Sequence, residues 1–215
     1  RDASLPTQPC ATASPPCSLR STRKQTEPGL SHGLRSARGT QVLFIDCDAF
    51  FTNFSVGIGD LLETYGAART GGPHFLVAED PGGINTGVFL IRNSPWSLDF
   101  LERVERSPFR MAWDQSMFFW EALWPELSSG RSQPEGDFQL PTEVALVHQA
   151  HMNAFVPPAS SDWRAYEWQP GDVIRHFAGC PHREPECYAM MRQTAELALE
   201  QWLGVNQSLA QQKKK

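Results

Sequence analysis

Short apolar runs separated by polar stretches mark the first predicted elements of this chain. The run Gln41–Ile45 is largely apolar and ends abruptly at Asp46-Cys47-Asp48, as expected for a buried strand. Similar runs predict four more strands, at Phe75–Ala78, Gly87–Ile91, Val144–Val147 and Val173–Phe177. The sequence therefore predicts a sheet whose strands are spread along most of the chain.

Helical periodicity alternates with these strands. Ser94 is a favourable N-cap and Pro95 a favourable first helical residue, and they precede apolar residues that share one helical face, namely Trp96, Phe100, Leu101 and Val104. A second helix is predicted over Trp113–Trp124 and a third over Tyr188–Leu203, with Gly204 at the C′ position that ends it. Strands alternating with helices predict an α/β fold.

The two ends of the chain differ from this pattern. Residues 1–40 contain no aromatic side chain and are rich in Pro, Ser, Thr and Arg, so they bury too little apolar surface to offset the entropy of ordering. They are predicted to be a disordered basic tail, and residues 206–215 a disordered C-terminal tail. A folded domain is predicted over 41–205. The sequence contains no run of eighteen apolar residues, the length needed to span a membrane.

Charge is distributed unevenly along the 215 residues. The formal net charge is −5, but residues 41–212 carry −12 and contain no lysine, because the excess of basic side chains lies at the two ends. Nucleic-acid binding needs clustered Lys and Arg, so the acidic body excludes that class of function. If the body binds a phosphorylated ligand, we expect a cation to assist.

Cysteines and sequons give weak pointers to a secretory lumen. Cys180 and Cys187 are close enough in sequence to bridge in an oxidising compartment, although their spacing leaves open whether they do. Asn53-Phe54-Ser55 and Asn206-Gln207-Ser208 match the acceptor pattern for N-glycosylation. Both kinds of pattern also arise by chance.

Asp46-Cys47-Asp48 is the first segment that can carry chemistry. Two carboxylates one residue apart follow a buried strand, at the edge where α/β sheets place ligands, and hard oxygen ligands suit Mg²⁺ or Mn²⁺. The alternative is a solvated strand end. The apolar neighbours Phe50 and Phe51 disfavour that alternative, because two like charges beside apolar residues need a compensating cation.

The segment from Val42 to Ala49 also resembles the opening of a haloacid-dehalogenase-type phosphatase. Asp46 would then be the nucleophile and Asp48 the general acid. That chemistry needs a downstream Lys or Arg and paired acids on a metal, and the body has no lysine.

Three further segments combine small or polar residues with apolar ones. In Gly82–Asn93 a glycine pair, an amide and a hydroxyl precede a predicted strand. Such small residues allow close approach of a ligand, and they are equally typical of an ordinary tight turn. Asp114 and Gln115 stand at the mouth of an apolar helix, where Asp114 would also stabilise the helix dipole. His176 ends a predicted strand beside Phe177, a position also typical of a core histidine.

Taken together, these segments resemble glycosyltransferase family 34, the retaining α-galactosyl-, α-mannosyl- and α-xylosyltransferases of fungal and plant Golgi membranes. The resemblance runs from about Val42 to Cys187 and consists of four ordered motifs: D-C-D at 46–48, G-G-I-N-T-G-V-F-L-I-R-N-S-P-W-S at 82–97, D-Q-S at 114–116 and H-F-A-G-C at 176–180. It implies a GT-A-like sheet with flanking helices. It also implies metal-dependent, retaining transfer of a hexose or pentose from a nucleotide-sugar donor to a glycan or glycoprotein acceptor.

The resemblance assigns a metal site to three residues. Asp46 and Asp48 match the family's metal-binding D-x-D, and His176 matches the histidine that joins the same metal. Mn²⁺, or alternatively Mg²⁺, would bridge the donor diphosphate and neutralise the leaving group.

It also assigns residues to the sugar. Asn85, Thr86 and Gly87 match the segment that lines the sugar and acceptor pocket. Asp114 and Gln115 match the catalytic acid-amide pair beside the transferred sugar, where an oxygen can stabilise an oxocarbenium-like centre. Front-face return, with the departing phosphate as base, needs no protein nucleophile; Asp114 as a covalent nucleophile is the lesser alternative.

The chain departs from the family pattern in three respects. Trp113 stands where the family commonly has the first of two acids before Gln115. Pro181 stands where the xylosyltransferase-like members have a lysine that reaches the diphosphate, so Arg183 or Arg175 is expected to substitute. Only the predicted tail precedes the D-x-D, so we expect the GT-A fold to be N-terminally incomplete, without the relatives' membrane anchor. The alternative function is therefore an inactive remnant that binds metal or glycan without transfer. Relatives lie on the lumenal side of Golgi membranes, which is the expected location.

Overall fold

The structure, a computed structural model, describes residues 40–111, 114–128, 140–156, 166–180 and 185–212, with side chains omitted for 125–128 and 206–212. The described strands are β1 (Gln41–Ile45), β2 (Ala49–Phe51), β3 (Phe75–Asp80), β4 (Gly83–Arg92), β5 (Val144–Val147), β6 (Ala154–Phe155) and β7 (Ile174–His176). The described helices are α1 (Ile58–Thr64), α2 (Pro95–Arg106), α3 (Gln115–Ser128), α4 (Gln149–Met152) and α5 (Glu186–Gln212). The predicted α/β class is confirmed.

Two mixed sheets are built from these strands. The first has the order β1-β4-β3-β5, with β4 antiparallel to both β1 and β3, and with β3 parallel to β5. The second has the order β2-β7-β6, with β2 and β7 antiparallel and β6 and β7 parallel. Because β1 belongs to one sheet and β2 to the other, the short segment between them joins the two sheets.

The middle strands of the first sheet are buried on both faces, which explains their nearly continuous apolar sequences. One face packs against α2 and α3 through a cluster that includes Phe75, Phe89, Phe100 and Phe118. The other face packs toward the second sheet and α1 through residues that include Leu76, Val88, Leu90, Met152 and Ile174. Alternate side chains of one strand thus pack into two different hydrophobic cores.

Helix α2 begins as the sequence predicts. The hydroxyl of Ser94 accepts a hydrogen bond from the Ser97 backbone N–H, and Pro95 is the first helical residue. Phe100 and Val104 are buried against the sheet. None of the helices in the described ranges is long and apolar enough to cross a membrane.

Helix α5 departs from the prediction. It runs to Gln212, past Gly204 and into the segment 206–215 for which a disordered tail was predicted. A glycine inside a helix costs only about 1 kcal/mol relative to alanine, and Leu209, Ala210 and Gln211 beyond it favour the helix. Gly204 therefore does not end α5. The predicted tail 1–40 lies outside the described residues, except for its last residue.

Candidate functional site

Asp46, Cys47 and Asp48 form the turn that carries the chain from β1 to β2. The backbone N–H of Asp46 donates to the carbonyl of Gly87 at 2.7 Å, and the N–H of Ala49 donates to the carbonyl of Asp46 at 3.1 Å. The first bond continues the β1–β4 ladder by one residue, so the turn is anchored to the larger sheet. Both carboxylates consequently lie where the two sheets meet.

His176 reaches this turn through the pairing of β2 with β7. Its Cα partner across the sheet is Ala49, and the N–H of Phe177 donates to the carbonyl of Asp48 at 2.9 Å. The His176 side chain is buried, and its Nε2 lies 3.4 Å from Oδ1 of Asp48. Ligand atoms of Asp46, Asp48 and His176 all lie within 4.8 Å of one another, a group that could hold a metal ion.

The electrostatics of the group call for a cation. Burial raises the pKa of Asp46 to about 6; the charge of His176 opposes the rise, and the negative charges of Asp48 and Asp114 add to it. Burial also disfavours ionised Asp48, but the hydrogen bond and charge of His176 outweigh this, so the pKa of Asp48 lies below its ordinary value. The third group is His176 and not a Lys or Arg, so the arrangement does not favour the phosphatase alternative.

Gly87 lies against the same three groups. A Cβ at this position would stand 2.5 Å from Cε1 of His176, 2.9 Å from Oδ2 of Asp46 and 3.0 Å from Oδ1 of Asn85. Such distances are far inside van der Waals contact, so any larger residue would displace a candidate ligand. The glycine keeps the space beside the imidazole open.

Asp80 forms hydrogen bonds with Gln115 and Asn85, two of the residues predicted to contact the sugar. Gln115 Nε2 donates to both of its carboxylate oxygens at 3.0 Å, and Asn85 Nδ2 donates to Oδ2 at 3.0 Å. The Gly82 N–H donates to Oδ1 at 2.6 Å, and Asn85 in turn accepts the Gly87 N–H at 2.9 Å. A continuous network therefore runs from Gln115 to the glycine beside the candidate metal ligands.

Sequence reasoning missed Asp80, although a usable signal was present. Asp80 ends the apolar strand β3 just as Asp46 follows β1, and it stands two residues before Gly82. Gly83 has a φ of 123°, a value that favours glycine, so the glycine pair does make the predicted tight turn. The same turn also aims its backbone at the carboxylate of Asp80.

Asp114 is exposed at the start of α3. Its carbonyl accepts the N–H groups of Met117 and Phe118, so Asp114 directly precedes the helix at the N-cap position, where a negative charge also stabilises the helix dipole. Its negative charge also contributes to the raised pKa of Asp46, so Asp114 lies near the candidate metal ligands. Thr86 is buried in β4 between Asn85 and Gly87.

Of the two arginines expected to meet a diphosphate, Arg175 is held elsewhere. Its guanidinium lies 4.6 Å from the Trp168 ring centre and 5.0 Å from that of Phe177, and Nη1 donates to Oγ1 of Thr194 on α5. Burial lowers the pKa of Arg175. Because successive strand residues point to opposite faces, Arg175 turns away from the side occupied by His176. These contacts do not favour Arg175 as the residue that reaches a diphosphate. Arg183, Trp113 and Pro181 lie outside the described residues.

Cys180 and Cys187 are joined by a disulfide. The bond ties the segment after β7 to the first turn of α5, and both residues are buried with Val156 and Phe177. The pairing that the sequence left open is therefore present, close to the end of the H-F-A-G-C motif.

Comparison with known proteins adds relatives for part of the chain. An uncharacterized alpha-1,2-galactosyltransferase of Schizosaccharomyces pombe is 32% identical over 111 residues, which is 50% of this chain and 25% of that protein. A probable alpha-1,6-mannosyltransferase, MNN10, of Saccharomyces cerevisiae is 29% identical over 116 residues, covering 49% of this chain and 27% of that one. The chain thus matches about a quarter of the length of these curated relatives.

A crystal structure of a glycosyltransferase involved in the glycosylation of the major capsid of PBCV-1 superposes with a TM-score of 0.45. The sequence identity is 12%, and the superposition covers 77% of this chain and 70% of that one.

The family model matches the segment that contains the polar network. Asp80, Asn85, Gly87 and Gln115 all lie between residues 62 and 116, whereas Asp46, Asp48 and His176 lie outside that range. The resemblance to glycosyltransferase family 34 is confirmed, because residues 62–116 match the model of the galactosyl transferase GMA12/MNN10 family.

Proposed function

We propose that this protein is a metal-dependent, retaining glycosyltransferase that moves a hexose or pentose from a nucleotide-sugar donor to a glycan or glycoprotein acceptor. The observation that carries the proposal is the convergence of Asp46, Asp48 and His176 beside the polar network of the family-matched segment. His176 lies far along the sequence from Asp46 and Asp48, so sequence proximity does not explain its position beside them.

The donor set fits a divalent cation. Mn²⁺ readily accepts two carboxylates and one imidazole as ligands. Mg²⁺ prefers oxygen ligands, which the two carboxylates supply. Burial and neighbouring negative charge raise the pKa of Asp46, and a bound cation would offset both effects by stabilising the ionised carboxylate. Gly87 leaves room beside the imidazole. When bound, the ion would act as a Lewis acid on the diphosphate leaving group. The lysine-free acidic body makes such a cation necessary for holding a diphosphate.

The protein residues would then orient the sugar. Asn85, Thr86 and Gly87 line one side, and Gln115 is held by Asp80 so that its amide keeps one orientation. Asp114, at the start of α3, would stabilise positive charge that develops at the sugar carbon. Retention by front-face return leaves the departing phosphate as the base, so no side chain needs to form a covalent bond.

We place the protein on the lumenal side of the Golgi. The Cys180–Cys187 disulfide supports an oxidising compartment, since such bonds are rare in the cytosol. Golgi location itself comes from the family resemblance.

A titration tests the metal and donor sites together. Mn²⁺ is titrated into the wild type and Asp48→Ala in the presence of a nucleoside diphosphate, with Asp99→Ala as the matched control because Asp99 is an exposed acid on α2. We expect binding in the wild type and the control and its loss in Asp48→Ala; equal binding by all three would refute the metal site.

Donor hydrolysis separates an enzyme from a binding protein. The wild type is compared with His176→Ala under saturating Mn²⁺, using a panel of nucleotide sugars. Turnover above the His176→Ala background supports a transferase. Metal binding without turnover on any donor would instead establish the inactive alternative.

A further inference from the structure

His176 uses both of its ring nitrogens. Nε2 faces Asp48, and Nδ1 lies 2.5 Å from Oδ1 of Asn153. We propose that Asn153 is a positioning residue that fixes the tautomer and orientation of His176, so that Nε2 presents its lone pair to the metal. This inference rests on the proposed metal site.

The chemistry of the contact gives the tautomer. An amide oxygen can only accept a hydrogen bond, so Nδ1 must carry the proton that joins it to Asn153. Nε2 can also carry a proton and donate it to Asp48 in the metal-free protein. A cation would replace that proton, and the neutral imidazole would then present the Nε2 lone pair as a ligand. Histidines that bind metals commonly donate their second N–H to a carboxylate or carbonyl in this way.

The backbone places Asn153 for this role. Asn153 ends α4, where its N–H donates to the Gln149 carbonyl at 2.7 Å, and it directly precedes β6. Strand β6 pairs in parallel with β7, and Phe155 lies opposite His176 in that pairing. The Phe155 ring also stacks on the imidazole at 5.8 Å between ring centres and 30° between planes. One short segment therefore supplies contacts to both the edge and the face of the ring.

The environment leaves the imidazole little freedom. Asn153 is fully buried and His176 nearly so, which excludes water as a competing partner for Nδ1. On another side the Cα of Gly87 approaches so closely that a Cβ there would clash with Cε1. Rotation of the ring about its Cβ–Cγ bond would lose the bond to Asn153.

Two substitutions at Asn153 separate hydrogen bonding from packing. Asn153→Leu has a similar size and no acceptor, whereas Asn153→Asp retains an acceptor for the Nδ1 proton. Asn93→Leu is the matched control, because Asn93 is also buried and its Nδ2, like that of Asn153, lacks a hydrogen-bond partner among the described residues. Thermal unfolding of each variant checks that it folds.

The first measurement uses metal-free protein. Nitrogen-15 NMR of the histidine rings, with the His176 signal identified by its loss in His176→Gln, reports which ring nitrogen carries the proton. We expect a protonated Nδ1 in the wild type, Asn153→Asp and Asn93→Leu, and a shift toward protonated Nε2 in Asn153→Leu. An unchanged His176 signal in folded Asn153→Leu would overturn the role of Asn153.

The second measurement is Mn²⁺ affinity by calorimetry. We expect Asn153→Leu to bind about 10–100-fold more weakly than the wild type, and Asn153→Asp and Asn93→Leu to bind as the wild type does. Equal affinity of the wild type and Asn153→Leu overturns the inference. Absence of Mn²⁺ binding in the wild type overturns the proposed metal site itself, which distinguishes the two failures.

Discussion

The side-chain amide of Gln115 donates to both carboxylate oxygens of Asp80, each at 3.0 Å. Asp80 ends β3 and Gln115 begins α3, so this contact ties a sheet edge to the first turn of a helix. The same carboxylate also binds Asn85 and the backbone of Gly82. A single acid therefore holds the two segments that carry most of the family resemblance.

Asp80→Asn should weaken this network. An amide at position 80 presents an NH₂ group to donors that need an acceptor, leaving buried polar groups unpaired at a cost of about 1–3 kcal/mol. We expect the free energy of unfolding to fall by that amount and nucleotide-sugar affinity to fall with it. Denaturant unfolding and donor titration measure both, with Asp99→Asn as the exposed control. Wild-type affinity in Asp80→Asn would show that the network does not position the donor site.

Gly87→Ala should damage the proposed metal site through size alone. The added Cβ would stand 2.5 Å from His176 Cε1, and relieving such a clash costs about 1–3 kcal/mol. We expect lower stability and weaker Mn²⁺ binding. Gly59→Ala, on α1, is the control because a Cβ there meets no atom within 4 Å. If both variants bind Mn²⁺ like the wild type, Gly87 is not a steric requirement of the site.

Asp46→Asn should change how the stability of the metal-free protein depends on pH. The pKa of Asp46 is raised from 3.8 to about 6, so the folded state binds its proton more tightly than the unfolded state does. This contribution to stability is fully present below about pH 3.8 and is lost as the pH rises through 6.

Thermal unfolding in chelator at a series of pH values measures the effect. The stability of Asp46→Asn relative to the wild type should rise between pH 4 and pH 7, because the variant keeps a neutral side chain throughout. A difference that stays constant over this range would contradict the raised pKa.

Removing the Cys180–Cys187 disulfide should loosen the attachment of α5. The two cysteines are separated by 7 positions, and closing a loop of that size stabilises a fold by about 2 kcal/mol in the chain-entropy account. We expect a loss of that order in the double variant Cys180→Ser with Cys187→Ser. Denaturant unfolding without reductant provides the measurement. Cys47→Ser, at an exposed cysteine outside this disulfide, is the control, and equal loss in both variants would assign the effect to other causes.

Local signals explain which elements could be predicted. Strands Gln41–Ile45 and Val144–Val147 have the predicted bounds, and α2 starts at Pro95 as predicted, because apolar runs and cap residues act on their immediate neighbours. The missed strands Ala49–Phe51 and Ala154–Phe155 are three and two residues long. Such short strands exist only because β7 pairs with both, and the sequence does not record that pairing.

The candidate site, like the fold, has features that the sequence predicts and features that depend on tertiary structure. The amino-acid sequence by itself determined the residue types that can bind a metal, the acidic and lysine-free body around them, and the ordered motifs that resemble one family. Only the tertiary structure decided that Asp80 holds Gln115 and Asn85, that Asn153 contacts His176, and that Arg175 faces α5. Strand register is the physical reason, since a shift of one residue would exchange the faces of Arg175 and His176.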